Sequence, residues 1–125
     1  MATDPFPVVL VIDDDPDIRA LIEDLLSPDE YRVVSAEHGA AALRLIAREQ
    51  PDVILLDVNM PIMDGPAFIR AYRETAPPHA PIICMTAGHN AAQRSREIGA
   101  DTHLGKPFEV PDLYDAIARS VPRAA

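Results

Sequence analysis

Three short runs of this chain are apolar without alternation: Val8–Ile12, Val53–Leu56 and Ile82–Met85. Such runs predict strands buried on both faces, as in a parallel sheet. Tyr31–Ala36 and Thr102–Gly105 read as two further strands, the second weakened by Gly105. Between the strands, apolar positions recur every three or four residues. Ile18, Leu21, Ile22, Leu25 and Leu26 set a first helix, with Asp15 as N-cap, Pro16 at its first position and Ser27-Pro28 as its stop. A second helix, Gly39 to Glu49, turns Ala42, Leu43, Leu45 and Ile46 inward and ends before Gln50-Pro51. A third runs from Pro66 to Arg73 with Phe68, Ile69 and Tyr72 on one face. Thr75–Pro81 holds three prolines and reads as a loop. The fourth helix starts at Asn90 as N-cap and stops at Ile98, with Gly99 as its C′ residue. The last runs from Pro111 to Val121 with Leu113, Ile117 and Val121 on one face.

Five strands alternating with five helices predict an α/β fold: a doubly wound parallel sheet with helices on both faces. The 125 residues suit one domain, 7–122, with short tails at 1–6 and 123–125. A domain of this size buries roughly two thirds of its unfolded surface. No internal repeat, low-complexity tract or linker interrupts it.

Composition narrows the function. The 48% apolar content fits a globular chain. A net charge of −9 argues against direct nucleic-acid binding, which needs clustered Lys and Arg. No signal-peptide pattern opens the chain, and no apolar run approaches the ~18 residues of a membrane helix. A single cysteine, Cys84, excludes an internal disulfide and fits a reducing compartment, so a cytoplasmic location is expected. The four histidines lack zinc-site spacing.

The candidate chemistry sits where strands end. In open parallel sheets, ligands bind beside the carboxyl ends of the strands, and the first and third strands adjoin at the switch point. Asp13 and Asp14 follow the first strand, Asp57 ends the third, Thr86 the fourth and Lys106 the fifth. An Asp that only starts a turn would look the same as Asp57 in its own stretch. Together, however, the acids repel: two charges ~4 Å apart cost about 4 kcal/mol at an effective dielectric of ~20. Either one pKa rises or a cation binds. Oxygen donors without His or Cys point to Mg²⁺, with Mn²⁺ possible. Such a site suits a phosphoryl group, with Asp57 as acceptor and Thr86 and Lys106 on its oxygens. Lys106 is the only lysine beside ten arginines, and a compact ammonium suits point contacts in a tight site.

These residues resemble the receiver domain of response regulators in two-component systems. The likeness runs from Val8 to Val121. It rests on Asp13-Asp14, Asp57-Val58-Asn59-Met60-Pro61-Ile62-Met63-Asp64-Gly65, Met85-Thr86-Ala87, Gly99-Ala100-Asp101 and Lys106-Pro107-Phe108. It implies a flavodoxin-like three-layer sandwich with strand order 2-1-3-4-5. It implies that Asp57 takes a phosphoryl group from a sensor histidine kinase or phosphotransfer protein. Asp14 would bind Mg²⁺ directly, Asp13 through water, and the Asn59 main-chain carbonyl would complete the protein ligands with Asp57. The Lys106-Pro107 bond would be cis. The implied role is that of a phosphoacceptor assisting its own phosphorylation and dephosphorylation, not of an enzyme. The implied output is a switch of the surface made by the fourth helix, fifth strand and fifth helix, toward an unknown downstream protein. Arg94, His103, Asp112 and Tyr114 are its candidate residues.

The chain departs from the pattern at His103. Receivers usually have Tyr or Phe there, whose ring swings inward as the Thr moves. Imidazole is smaller and titrates near neutrality, so a weaker or pH-sensitive coupling is expected. Gly88 offers no side chain to steer water, which leaves Asn59. A phosphorylation-independent binding module is the main alternative. A haloacid-dehalogenase-type phosphatase would want a second acid at Asn59, and an FMN carrier a phosphate cradle where Asp13-Asp14-Asp15 stand.

Overall fold

The apolar runs fold as strands and the periodic segments as helices, in strict alternation. The structure is a computed structural model that describes residues 6–26, 30–58, 65–87 and 90–120. The strands are β1 (Val8–Ile12), β2 (Arg32–Ala36), β3 (Val53–Asp57), β4 (Ile82–Ala87) and β5 (Thr102–Lys106). The helices are α1 (Pro16–Leu25), α2 (Gly39–Arg48), α3 (Gly65–Arg73), α4 (Ala91–Ile98) and α5 (Val110–Ser120). All strand pairs are parallel, in the order β2-β1-β3-β4-β5.

Strand pleating splits the core into two layers, because successive side chains point to opposite faces. Val9, Val11, Val53, Leu55, Ile83 and Met85 pack with Ile22 and Leu26 at α1 and with Leu113 and Ile117 of α5. Leu10, Ile12, Ile54, Leu56 and Ile82 pack with Ala42 and Ile46 of α2 and with Phe68, Ile69 and Tyr72 of α3. Each large aliphatic chain so buried contributes about 1.5–3 kcal/mol. β1 and β3 are buried along their whole length, as their unbroken apolar runs predict.

The caps follow the sequence in part. The Asp15 carboxylate accepts from the Asp17 amide, and Pro16 opens α1. Gly99 ends α4 with φ 88°, where a Cβ would be strained. Asn90 is the N-cap residue of α4, as expected, but its side chain makes no capping bond. The α2 cap is His38, whose Nδ1 accepts from the Ala41 amide at 3.0 Å.

Leu21 does not face inward; it is 43% exposed, since α1 needs only one stripe against the sheet. Leu43 and Leu45 are half-buried. Tyr31 lies outside β2, and its ring rests 6.3 Å from that of Tyr114. α3 begins one residue early, at Gly65, whose amide bonds the Val58 carbonyl at 3.0 Å. A Cβ there would meet the Val58 Cα at 3.0 Å, so the close approach requires glycine. β4 and β5 run on to Ala87 and Lys106, and α5 starts at Val110. Ser27-Pro28, Asn59, Gly88 and Val121 lie outside the described residues.

Candidate functional site

Pleat and topology assemble the site. Asp13 continues the parity of Val9 and Val11, Asp57 that of Val53 and Leu55, and Lys106 that of Leu104. All three therefore lean toward the α1/α5 side at the rim. β1 and β3 pair directly, with Ile12 opposite Leu56, so the two carboxylates at their ends are neighbours. Carboxylate oxygens of Asp13, Asp14 and Asp57 lie within 4.8 Å of one another. Asp13 is 0% and Asp57 7% exposed, whereas Asp14 is open to solvent.

Lys106 comes from the far edge. Its Nζ is 3.0 Å from Asp13 Oδ2 and 3.4 Å from Asp57 Oδ1. Burial pulls its pKa down, but the hydrogen bonds and charges of Asp13 and Asp57 outweigh this and hold it above 10.5. The ammonium stays charged. Asp13 is fixed from three directions: Oδ1 accepts from the Asp15 amide at 2.9 Å, Oδ2 from Lys106, and its carbonyl from Arg19 Nη1 at 2.7 Å. Arg19 carried no signal in the sequence, because its partner is a backbone carbonyl.

Three carboxylates against one ammonium leave two negative charges, the charge a divalent cation cancels. Mg–O bonds of about 2.1 Å set octahedral ligands about 3 Å apart when adjacent and about 4 Å when opposite, so carboxylate oxygens grouped within 4.8 Å need close in only slightly on such an ion. Hard oxygen donors suit the same ion.

Thr86, 4% exposed, has the opposite parity, and among the described residues its Oγ1 reaches only the Ala87 carbonyl at 3.4 Å. It pairs in register with Gly105, where a Cβ would meet nothing within 4 Å. His103, two residues back on the same face of β5, is exposed. Gly105 therefore places no side chain between the imidazole and Thr86. Cys84 lies beneath, and burial first, then the Asp57 charge, against Arg94 and Lys106, pushes its thiol up to about 11. The Lys106-Pro107 bond is cis. Tyr114 is less free than the sequence suggests, since its hydroxyl donates to the Leu25 carbonyl at 2.6 Å and ties α5 to α1.

Residues 9–118 match the family described as response regulator receiver domain. The chain belongs to that family. This receiver domain is 34% identical over 116 residues to sporulation initiation phosphotransferase F of Bacillus subtilis, covering 91% of this chain and 93% of that one. It is 38% identical over 109 residues to the transcriptional regulatory protein PrrA of Mycobacterium bovis, covering 86% of this chain and 46% of the other. The receiver thus spans about half the length of such longer relatives. Among solved structures it resembles the Vibrio cholerae chemotaxis protein CheY4, with TM-score 0.79, 31% identity and coverage of 93% and 99%. A receiver domain protein from Clostridium thermocellum gives TM-score 0.79 at 29% identity, covering 92% and 94%.

Receiver domains serve two-component signal transduction, where phosphorylation on an aspartate is expected and the partners are histidine kinases or phosphotransfer proteins. The family binds Mg²⁺ at an acidic cluster, and Asp13, Asp14 and Asp57 form one here. Among the described residues, no helix is long and apolar enough to cross a membrane.

Proposed function

We propose that Asp57 is the phosphoacceptor, and that Asp13, Asp14 and Asp57, with the Asn59 carbonyl, hold Mg²⁺ or Mn²⁺. The reading is carried by one observation: Asp57 lies both in the three-carboxylate group and 3.4 Å from the Lys106 ammonium. An Asp57 oxygen attacks phosphorus on the donor imidazole. The P–O bond forms as the P–N bond breaks, and the electron pair returns to the ring nitrogen. When bound, the ion neutralises charge on the transferring oxygens. Lys106 already stands within reach to balance another oxygen. Thr86 must leave the Ala87 carbonyl to donate to a third, and its poor 3.4 Å contact makes that release cheap.

His103 then follows Thr86 across the gap at Gly105. That movement changes the surface of α4, β5 and α5, where Arg94, His103 and Asp112 are exposed. Differential contacts in the two states supply the bias. The protein acts in the cytoplasm on an unidentified downstream protein. It is a phosphoacceptor that assists its own chemistry, not an enzyme acting on other molecules.

Incubation with Mg²⁺ and acetyl phosphate, read by intact mass, tests the assignment. The wild type gains one phosphoryl group and Asp57→Asn gains none. An unmodified wild type, or an equally modified variant, overturns it; the first result would favour a phosphorylation-independent binding module.

A further inference from the structure

At the β2 edge of the sheet lies a groove of about 780 Å³ lined by Arg19, Ser35, Ala41, Arg44, Leu45 and Arg48. α1 and α2 cover opposite faces. A groove lined by both therefore crosses the open side of β2, which pairs only with β1 among the described strands. Arg44 and Arg48 are four residues apart on one helix face, where like charges oppose each other. Neither has a hydrogen bond or ion pair among the described residues. Arg32, Arg73 and Arg119, by contrast, each stand against a carboxylate. Arg19 enters from α1 and spends one N–H on the Asp13 carbonyl. On a chain of net charge −9, this groove is a local reversal of sign.

We propose that the groove docks an acidic, extended segment of a partner protein. Guanidinium forks match carboxylates in pairs. Ala41 and Leu45 offer an apolar wall for alternate side chains, and the free side of β2 can accept a strand. A small polyphosphate fits less well, because the groove is open along its length and small-ligand sites enclose most of their ligand. Glu37, 4.0 Å from His38 Nε2, also lines the groove and repels carboxylates beside it. The acidic side chains are thereby directed to Arg44 and Arg48. Arg19 touches both the groove and Asp13, so an occupant contacts the acidic site through one side chain. The surface stands whether or not Asp57 is phosphorylated.

The test follows backbone amide shifts of the full chain during titration with a synthetic peptide of alternating Glu and Val, against a Lys and Val control. The expected result is saturable shifts at Ser35, Ala41 and Leu45 with the acidic peptide alone. Arg44→Glu/Arg48→Glu should weaken binding about tenfold or more and favour the Lys peptide. Arg44→Ala/Arg48→Ala should weaken it without that reversal and guards against misfolding. Shifts absent from the groove, equal with both peptides, or unchanged in both variants overturn the proposal. So do shifts evoked only by inorganic tripolyphosphate, or self-association in sedimentation that the double variants abolish.

Discussion

β3 and β5 deliver opposite charges to the same rim, and they are built differently. β3 is paired on both sides and buried at all five positions. β5 is an edge strand whose only fully buried residue is Leu104. The carboxylate is thus anchored on a strand that cannot shift without disturbing both core layers. The ammonium hangs from one that can. Under the proposed function, this division gives a fixed acceptor on β3 and a compliant reporter on β5. Register supports it, since β5 places a glycine opposite Thr86 and leaves the space beside it open.

Truncation gives the largest expected effect. Leu55→Ala opens a cavity in the centre of the sheet and should cost about 2–5 kcal/mol in urea unfolding. Leu104→Ala should fall at or below the low end of that range, because neighbours at an edge can relax into the space. Equal losses would break the contrast between the strands.

A cap comparison comes next. Asp15→Ala removes the carboxylate that caps α1 and should cost about 1 kcal/mol. Asn90→Ala, at a cap that makes no side-chain bond, should stay within about 0.5 kcal/mol, as for a surface change. A loss at Asn90 as large as at Asp15 would show that the α4 end is held as firmly as the α1 end.

The smallest effect concerns Lys106. Its pKa is raised in the folded chain, so folding favours the protonated form. That contribution is complete below 10.5 and disappears as pH rises through the higher folded value. Urea midpoints measured from about pH 8 upward should therefore fall more steeply for the wild type than for Lys106→Met. Every other group is common to both chains and cancels in the comparison. Parallel curves would mean that the ammonium is not coupled to Asp13 and Asp57.

Much of this was legible in the chain. Val8–Ile12 and Val53–Leu56 have the unbroken apolar pattern that only a doubly covered strand requires. The acids that follow them had to lie together once the first and third strands were neighbours. Boundaries were less legible: β4 and β5 run on into Thr86 and Lys106 because ladder hydrogen bonds continue past the apolar run. Asn90 looked like a cap, but whether a side chain bonds an amide depends on a backbone angle that composition does not encode. His38 gives no cap signal in the sequence because histidine is an unusual cap, and here a ring nitrogen substitutes for a side-chain oxygen.

The sequence by itself determined the order of elements, the two-sided core and the charged residue at each strand end, because periodicity and turn chemistry act over a few residues. Only the tertiary structure decided that Lys106 lies nearer Asp13 than Asp57, that Asp13 is sealed while Asp14 is open, that Tyr114 ties α5 to α1, and that three arginines from α1 and α2 share one groove. Those outcomes depend on how layers distant in sequence meet across the sheet, and no local pattern carries that distance.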